Sequence, residues 1–242
     1  MSQMSSIDNQ VTYSDISEVF LSNVSHSLRT PINVILGNSH LLRATLDCNE
    51  EQAAVIDQIN HSAMELLSQV NDLVDMSRIE SNKMTLCSQV VNLKEVIQDV
   101  CFMISAKSDK KGLIFRYQLP EELDQSVTID DLKIRQILLA LLDNAVKFTE
   151  QGYVTLQATM SESRIMFSVT DTGIGIEDSE LQRIYEPFYQ TNSARHGVGL
   201  GLPICKRVVE LMNGTITVKS GKDQGSVFTV TIPVPVGRSE QL

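Results

Sequence analysis

The sequence predicts a fold in two parts: an all-α helical hairpin that pairs with a second copy into a dimeric four-helix bundle, followed by an α+β two-layer sandwich. Three observations carry this expectation. From about Asp15 to Glu80 the apolar residues recur at helical spacing. After about Lys83, alternating strand-like runs are interleaved with amphipathic stretches. The two halves differ in this way within 242 residues of ordinary composition, 42% hydrophobic and 21% charged, long enough for two small domains.

Residues 1–14 are polar and rich in Ser and Gln, and read as a linker or chain end. Over the next helix, to Leu46, a rotation of ~100° per residue places Phe20, Val24, Leu28, Ile32, Ile35, Leu42 and Leu46 on one broad stripe. His26 falls on roughly the opposite side. A second helix, about Glu50 to Glu80, shows a 3-4 alternation at Ile56, Ile59, Ala63, Leu66, Val70 and Leu73, widened by Val55, Leu67 and Val74. One hairpin cannot cover so wide a face, whereas two hairpins from two chains can.

Met84 to Val91 reads as a strand, and Asn92 followed by Glu95 forms a capping-box pattern opening a helix toward Ser108. Strands are expected at Leu113–Leu119 and Val127–Ile129, then an amphipathic helix from Asp131 to about Phe148. Tyr153–Thr159 and Ile165–Thr170 alternate like a hairpin. A Gly-rich irregular stretch from Asp171 to about Gly199 is longer than most connections and is therefore a functional-loop candidate. A helix from Leu200 to Met212 and strands at Thr215–Lys219 and Ser226–Ile232 follow, so helices should cover one face of an antiparallel-rich sheet. This reading gives domains at 15–82 and 83–236 and a tail at 237–242.

A net charge of −10 argues against nucleic acid, which is bound through clustered Lys and Arg. No apolar run approaches the ~20 residues needed to span a bilayer, and the N-terminus lacks the pattern of a signal peptide, so no membrane contact is expected within this chain. Cys48, Cys87, Cys101 and Cys205 are scattered without metal spacing, which fits free thiols in a reducing cytosol.

Four stretches carry chemistry. In Phe20–Pro31, His26 offers a neutral imidazole nitrogen able to attack a phosphoryl group, and Pro31 frees the carbonyl of Ser27, predicting a bend after the histidine. In Leu138–Thr149, positions 140, 144 and 147 share a flank beside the apolar stripe of Ile134, Leu138, Leu141, Ala145 and Phe148. There the Asn144 amide oxygen suits magnesium and Lys147 suits phosphate. In Asp171-Thr-Gly173-Ile-Gly175-Ile176 the glycines permit close backbone approach to a ligand. The Asp171 carboxylate can accept from an adenine amino group but finds no donor at a guanine carbonyl, a basis for selecting ATP over GTP. Finally Tyr185-Glu-Pro-Phe-Tyr-Gln190 precedes a polar segment with the composition of a lid and then Gly197-Val-Gly199-Leu200-Gly201, whose helix-opening N–H groups suit phosphates. Arg195 could reach those phosphates; a solvated loop arginine is an equal reading. His40, His61 and His196 have no supporting motif and read as structural or surface residues.

Taken together, these stretches resemble the H-box, N-box, first glycine box, F-box and second glycine box of sensor histidine kinases, in that family's order from about residue 16 to 234. The resemblance implies a homodimeric phosphoacceptor hairpin joined to a Bergerat-type ATP-binding sandwich. It implies ATP and Mg2+ as cofactors, with Asn144 as metal ligand and Lys147, Phe148, Asp171, Gly173, Gly175, Ile176, Arg195, Gly197, Gly199, Leu200 and Gly201 around the nucleotide. It implies His26 as phosphoacceptor, Thr30 as the residue orienting water in dephosphorylation, and a response-regulator receiver domain as partner. It also implies a cytoplasmic location, either as a soluble kinase or as the cytoplasmic part of a membrane-bound sensor. Two positions depart from the family pattern. Ser27 stands where an acid usually follows the phosphoacceptor, which predicts a slow autokinase, since general-base assistance is worth ~10²–10⁴-fold. Ala140 stands where an earlier Asn normally precedes the magnesium ligand, removing one polar contact at the phosphates. The alternative expectation is a degenerate kinase acting by docking a receiver domain or another kinase.

Overall fold

A computed structural model of the chain describes residues 13–45, 49–161, 163–191 and 198–234, with side chains from Val24 onward. Cys48, Arg195, His196, Gly197 and the side chain of Phe20 lie outside the described residues. The chain divides into two compact units, residues 1–84 and 85–242.

The first unit is a hairpin of α1 (Tyr13–Thr45) and α2 (Glu50–Glu80). Asn49 starts α2 through a reciprocal capping box: its side chain accepts from Gln52 N–H at 2.8 Å while the Gln52 side chain accepts from Asn49 N–H at 3.2 Å. α1 runs unbroken through Pro31. The packed seam joins Ile32 and Leu36 of α1 to Ala63, Val70 and the half-buried Leu67 of α2. Polar pairs fix its register, with Arg29 donating through Nε and Nη2 to Asn71 Oδ1 and Ser39 Oγ donating to Asn60 Oδ1. Leu28, Ile35 and Leu42 of the sequence-predicted stripe stay 40%, 46% and 44% exposed, as do Ile59 and Leu66 of α2 at 43% and 45%. The stripe is wider than one partner helix, so α2 covers its Ile32–Leu36 edge and leaves the other edge open.

Among the described residues, the second unit holds a two-stranded sheet, a five-stranded sheet, three α-helices and two single-turn 3-10 helices. β1 (Gln89–Asn92) pairs antiparallel with β3 (Ser126–Ile129). The strand expected over Met84–Val91 is therefore shorter and later. Its partner β3 offers only four residues, and the Cys87 N–H goes instead to the Asp130 carboxylate at 2.7 Å. Asn92 opens α3 (Leu93–Lys111) by accepting from Lys94 and Glu95 N–H, and Gly112, at φ 72°, ends it in the left-handed conformation.

β2 (Ile114–Gln118) pairs parallel with β4 (Tyr153–Ser161), the connection passing through β3 and α4 (Asp131–Phe148). β5 (Arg164–Asp171), β6 (Thr215–Ser220) and β7 (Ser226–Pro233) complete the order β2-β4-β5-β7-β6, with α5 (Gly201–Leu211) leading into β6. β5 and β7 alternate buried and less buried residues, as expected of a sheet with helices on one face. Leu93, Ile97 and Ile104 of α3, Ile134, Ile137, Leu138, Leu141 and Leu142 of α4, and Leu156, Ile165 and Phe167 of the sheet are fully buried between the two layers. Among the described residues no helix is long and apolar enough to cross a membrane.

Candidate functional site

On α1, Ser25, Ile32, Leu36 and Ser39 are buried, while His26 is exposed, as are Ser27 and Thr30. The Thr30 hydroxyl turns back along the helix and donates to the His26 carbonyl at 3.2 Å. His40 and His61 are also exposed on the hairpin, His61 beside Glu65 at 3.7 Å.

In the second unit α4 is the platform. Its Asp130 side chain caps the first turn through Lys133 N–H at 3.0 Å, and the Lys111 ammonium donates to the last carbonyls, Val146 at 3.1 Å and Lys147 at 2.8 Å. Both ends are thus satisfied, which holds the helix that carries Ala140, Asn144 and Lys147, all three half-buried. The Lys147 ammonium lies 4.9 Å from the centre of the Phe148 ring.

Phe148 is where the first glycine loop meets α4. Ile174 N–H donates to the Phe148 carbonyl at 3.3 Å, and a Cβ on Gly173 would strike that same carbonyl. Gly175 has φ 64°, and a side chain there would strike the Gly221 carbonyl in the β6–β7 turn. Both glycines are thus required by the path of the loop. That turn also contributes Asp223 N–H, which donates to Ile174 O at 2.7 Å.

Asp171, the last residue of β5, is buried. Its carboxylate accepts from Gly173 N–H at 2.8 Å and from both the N–H and the hydroxyl of Ser226, its register partner on β7. Burial pushes the carboxyl above the usual carboxylate range, and the hydrogen bonds from Gly173 and Ser226 pull it partly back. A buried acceptor held from three sides is suited to reading a donor on a ligand.

The second glycine stretch is described from Val198. Gly199 has φ 76° and lies against Tyr189 and Phe188, whose N–H donates to the Gly199 carbonyl at 3.0 Å. Leu200 is buried, and among the described residues no side chain caps the N-terminus of α5 at Leu200–Gly201, a helix start suited to an anion. An open depression of about 230 Å³ lined by Glu150, Gln151, Thr172, Gly173, Ile174 and Asp223 shares only Gly173 with the predicted nucleotide residues. It offers no buried acceptor comparable to Asp171.

The structure brings Phe148, Gly173 and Ile176 together with Asp171 through the glycine loop, and sets Asn144 and Lys147 on the helix that ends there. Sequence reasoning missed Ser226 and Gly225. A Cβ on Gly225 would strike the Asp171 carbonyl, and Gly-Ser at a strand start carried no signal beyond that of an ordinary turn. Among the described residues no three His, Cys, Asp or Glu side chains cluster as metal ligands. A magnesium ion beside Asn144 would thus take most of its oxygen ligands from nucleotide phosphates and water.

A family model described as "Histidine kinase-, DNA gyrase B-, and HSP90-like ATPase" matches residues 129–236, and one described as "His Kinase A (phospho-acceptor) domain" matches residues 17–82. The chain is 37% identical over 222 residues to the aerobic respiration control sensor protein ArcB of Escherichia coli, covering 89% of this chain and 28% of that protein. It is 37% identical over 227 residues to the autoinducer 2 sensor kinase/phosphatase LuxQ of Vibrio parahaemolyticus, with 89% and 26% covered. To the sensor protein GacS of Pseudomonas syringae it is 33% identical over 237 residues, with 94% and 26% covered. It therefore spans 26–28% of the length of these relatives. The crystal structure of full-length ShkA in complex with AMPPNP matches with TM-score 0.71 and 34% identity, over 90% of this chain and 46% of that one.

Proposed function

The chain belongs to the sensor histidine kinases of two-component systems, carrying a phospho-acceptor domain and then an ATPase domain, and on that premise we propose that it phosphorylates itself on His26 from Mg-ATP. It then passes the phosphoryl group to an aspartate of a response-regulator receiver domain. Residues 15–82 form the dimerisation and phosphotransfer domain and residues 83–236 the catalytic domain, in a homodimer working in the cytoplasm. The observation that carries this reading is the Asp171 carboxylate, buried at the end of β5 and held by Gly173 and Ser226, in a chain that also presents an exposed His26. The nucleotide seen with ShkA supports ATP as the ligand here.

Asp171 accepts the adenine amino group, and Gly173, Gly175 and Ile176 let the backbone approach the base. Lys147 meets the phosphates, as do the N–H groups at Gly199, Leu200 and Gly201, with Phe148 packing beside them and Gly197 and Arg195 as further contacts. A magnesium ion, held through the Asn144 amide oxygen, would neutralise phosphate charge. An imidazole nitrogen of His26 forms its bond to the γ-phosphorus as the bond to the β-phosphate oxygen breaks and ADP leaves. The ring proton goes to water, because the Ser27 hydroxyl is a feeble base, and the step is correspondingly slow. Thr30 orients water when the phosphoryl group is hydrolysed.

Incubation with γ-labelled ATP and magnesium should give acid-labile label on the wild type and none on His26→Ala. Ser27→Glu should label faster; an unchanged rate would remove the missing base as the cause of slowness. Ser27 and Ala140 favour a second reading, a degenerate kinase that docks a receiver domain or another kinase through its hairpin. A wild type that takes no label would establish it in place of the first.

A further inference from the structure

The turn between β6 and β7 does more than connect two strands, because Ser220 at its start touches three parts of the candidate site. Its Oγ accepts from Ile176 N–H in the first glycine loop at 2.8 Å. The same hydroxyl lies 2.8 Å from the Gly225 carbonyl, to which it donates, and 3.0 Å from Ser226 Oγ. A serine hydroxyl carries a single hydrogen. That of Ser220 is given to the Gly225 carbonyl, and the contact between the two serines ties Ser220 to Ser226, the register partner of Asp171. Ser220 thus joins the glycine loop, through Ile176 N–H, to Ser226 beside Asp171.

We propose that Ser220 is a positioning residue for adenine recognition: through Ser226 it holds the Asp171 carboxylate as an acceptor, and through Ile176 it holds the glycine loop against the base. The inference rests on the reading of Asp171 as the adenine acceptor. Without the Ser220 hydroxyl, Ser226 loses a hydrogen-bond partner and the Ile176 N–H its acceptor. Asp171 keeps its bond from Gly173 N–H, but its support through Ser226 and the hold on the loop at Ile176 are weakened. Recognition of the base suffers while the phosphate contacts on α4 and α5 are untouched.

The test compares Ser220→Ala, Ser220→Val and Ser220→Thr in the full chain, titrated with Mg-ATP and Mg-GTP by calorimetry, with thermal melts alongside. Val and Thr have the same shape and both suit a strand, so they differ only in the hydroxyl. The Ala and Val variants should bind ATP about tenfold more weakly, the loss expected for a part-buried hydrogen bond, with a smaller ATP-to-GTP ratio, and Thr should restore both. Ala and Val variants that bind ATP within about twofold of wild type with the ratio intact would overturn the proposal, as would a Thr variant as weak as Val. A wild type that binds no ATP would overturn the reading of Asp171 and this proposal together, whereas wild-type binding with unaffected variants sinks this proposal alone.

Discussion

The hairpin and the sandwich bury their apolar residues to very different extents. In the second unit α3, α4 and the sheet enclose residues such as Ile97, Leu138, Leu142, Ile165 and Phe167 completely. In the first, a small seam around Ile32, Leu36, Ala63 and Val70 is bordered by Leu28, Ile35, Leu42, Ile59 and Leu66, all of them exposed. The difference teaches that one unit closes its core within a single chain and the other does not, which is what a homodimer joined through the hairpin requires.

The largest effect should come from the closed core. Phe167→Ala removes a fully buried ring and should cost about 3–5 kcal/mol of unfolding free energy, read by denaturant titration of the second unit's transition; a loss below about 1 kcal/mol would show that this core is not closed. Next comes the open face. Ile35→Asp should leave the helical content unchanged but weaken dimerisation by about 3 kcal/mol or more, seen as monomer in sedimentation at concentrations where the wild type is dimeric. If that variant stays dimeric, the exposed edge is not the interface.

The third prediction separates stability from function within the closed unit. Asp171→Asn should lose about 1.5–3 kcal/mol of ATP affinity while keeping or raising the melting temperature. The direction follows from the raised carboxyl pKa: ionising Asp171 opposes folding above its folded pKa, and the penalty vanishes below the ordinary value of 3.8. Wild type should therefore gain stability relative to Asp171→Asn as the pH falls toward 3.8, and melts of both proteins over a falling pH series check the sign. The smallest effect concerns thiols. Burial pushes Cys101 and Cys205 up to about 12, so in the native protein an alkylating reagent should modify exposed Cys87 and spare those two until unfolding.

Legibility in the sequence followed the range of the interactions involved. Periodicity gave α4 from Asp131 to Phe148, because a helix is made of contacts three and four residues apart. The spacing of Asp171, Gly173 and Gly175 marked a loop for the same local reason. What could not be read were pairings made at a distance. β2 pairs parallel with β4 across an intervening strand and helix, the stretch before β1 lost its expected strand because β3 is short, and Ser226 meets Asp171 only through the β5–β7 ladder. The wide stripe on α1 was visible, but which edge α2 would cover depended on Arg29 meeting Asn71 and Ser39 meeting Asn60.

The Asp171–Ser226 pairing has a kinetic meaning. β4–β5 and β6–β7 are local hairpins that can form early, whereas β5 meets β7 only after the chain has closed a long loop containing α5. A slip of one residue in that late pairing would carry Ser226 to the face of the sheet opposite Asp171. Asp171 therefore meets Ser226 only once the two hairpins have zipped in their final register. Bound ATP would stabilise that last stage of folding, and appearance of nucleotide binding during refolding would time it.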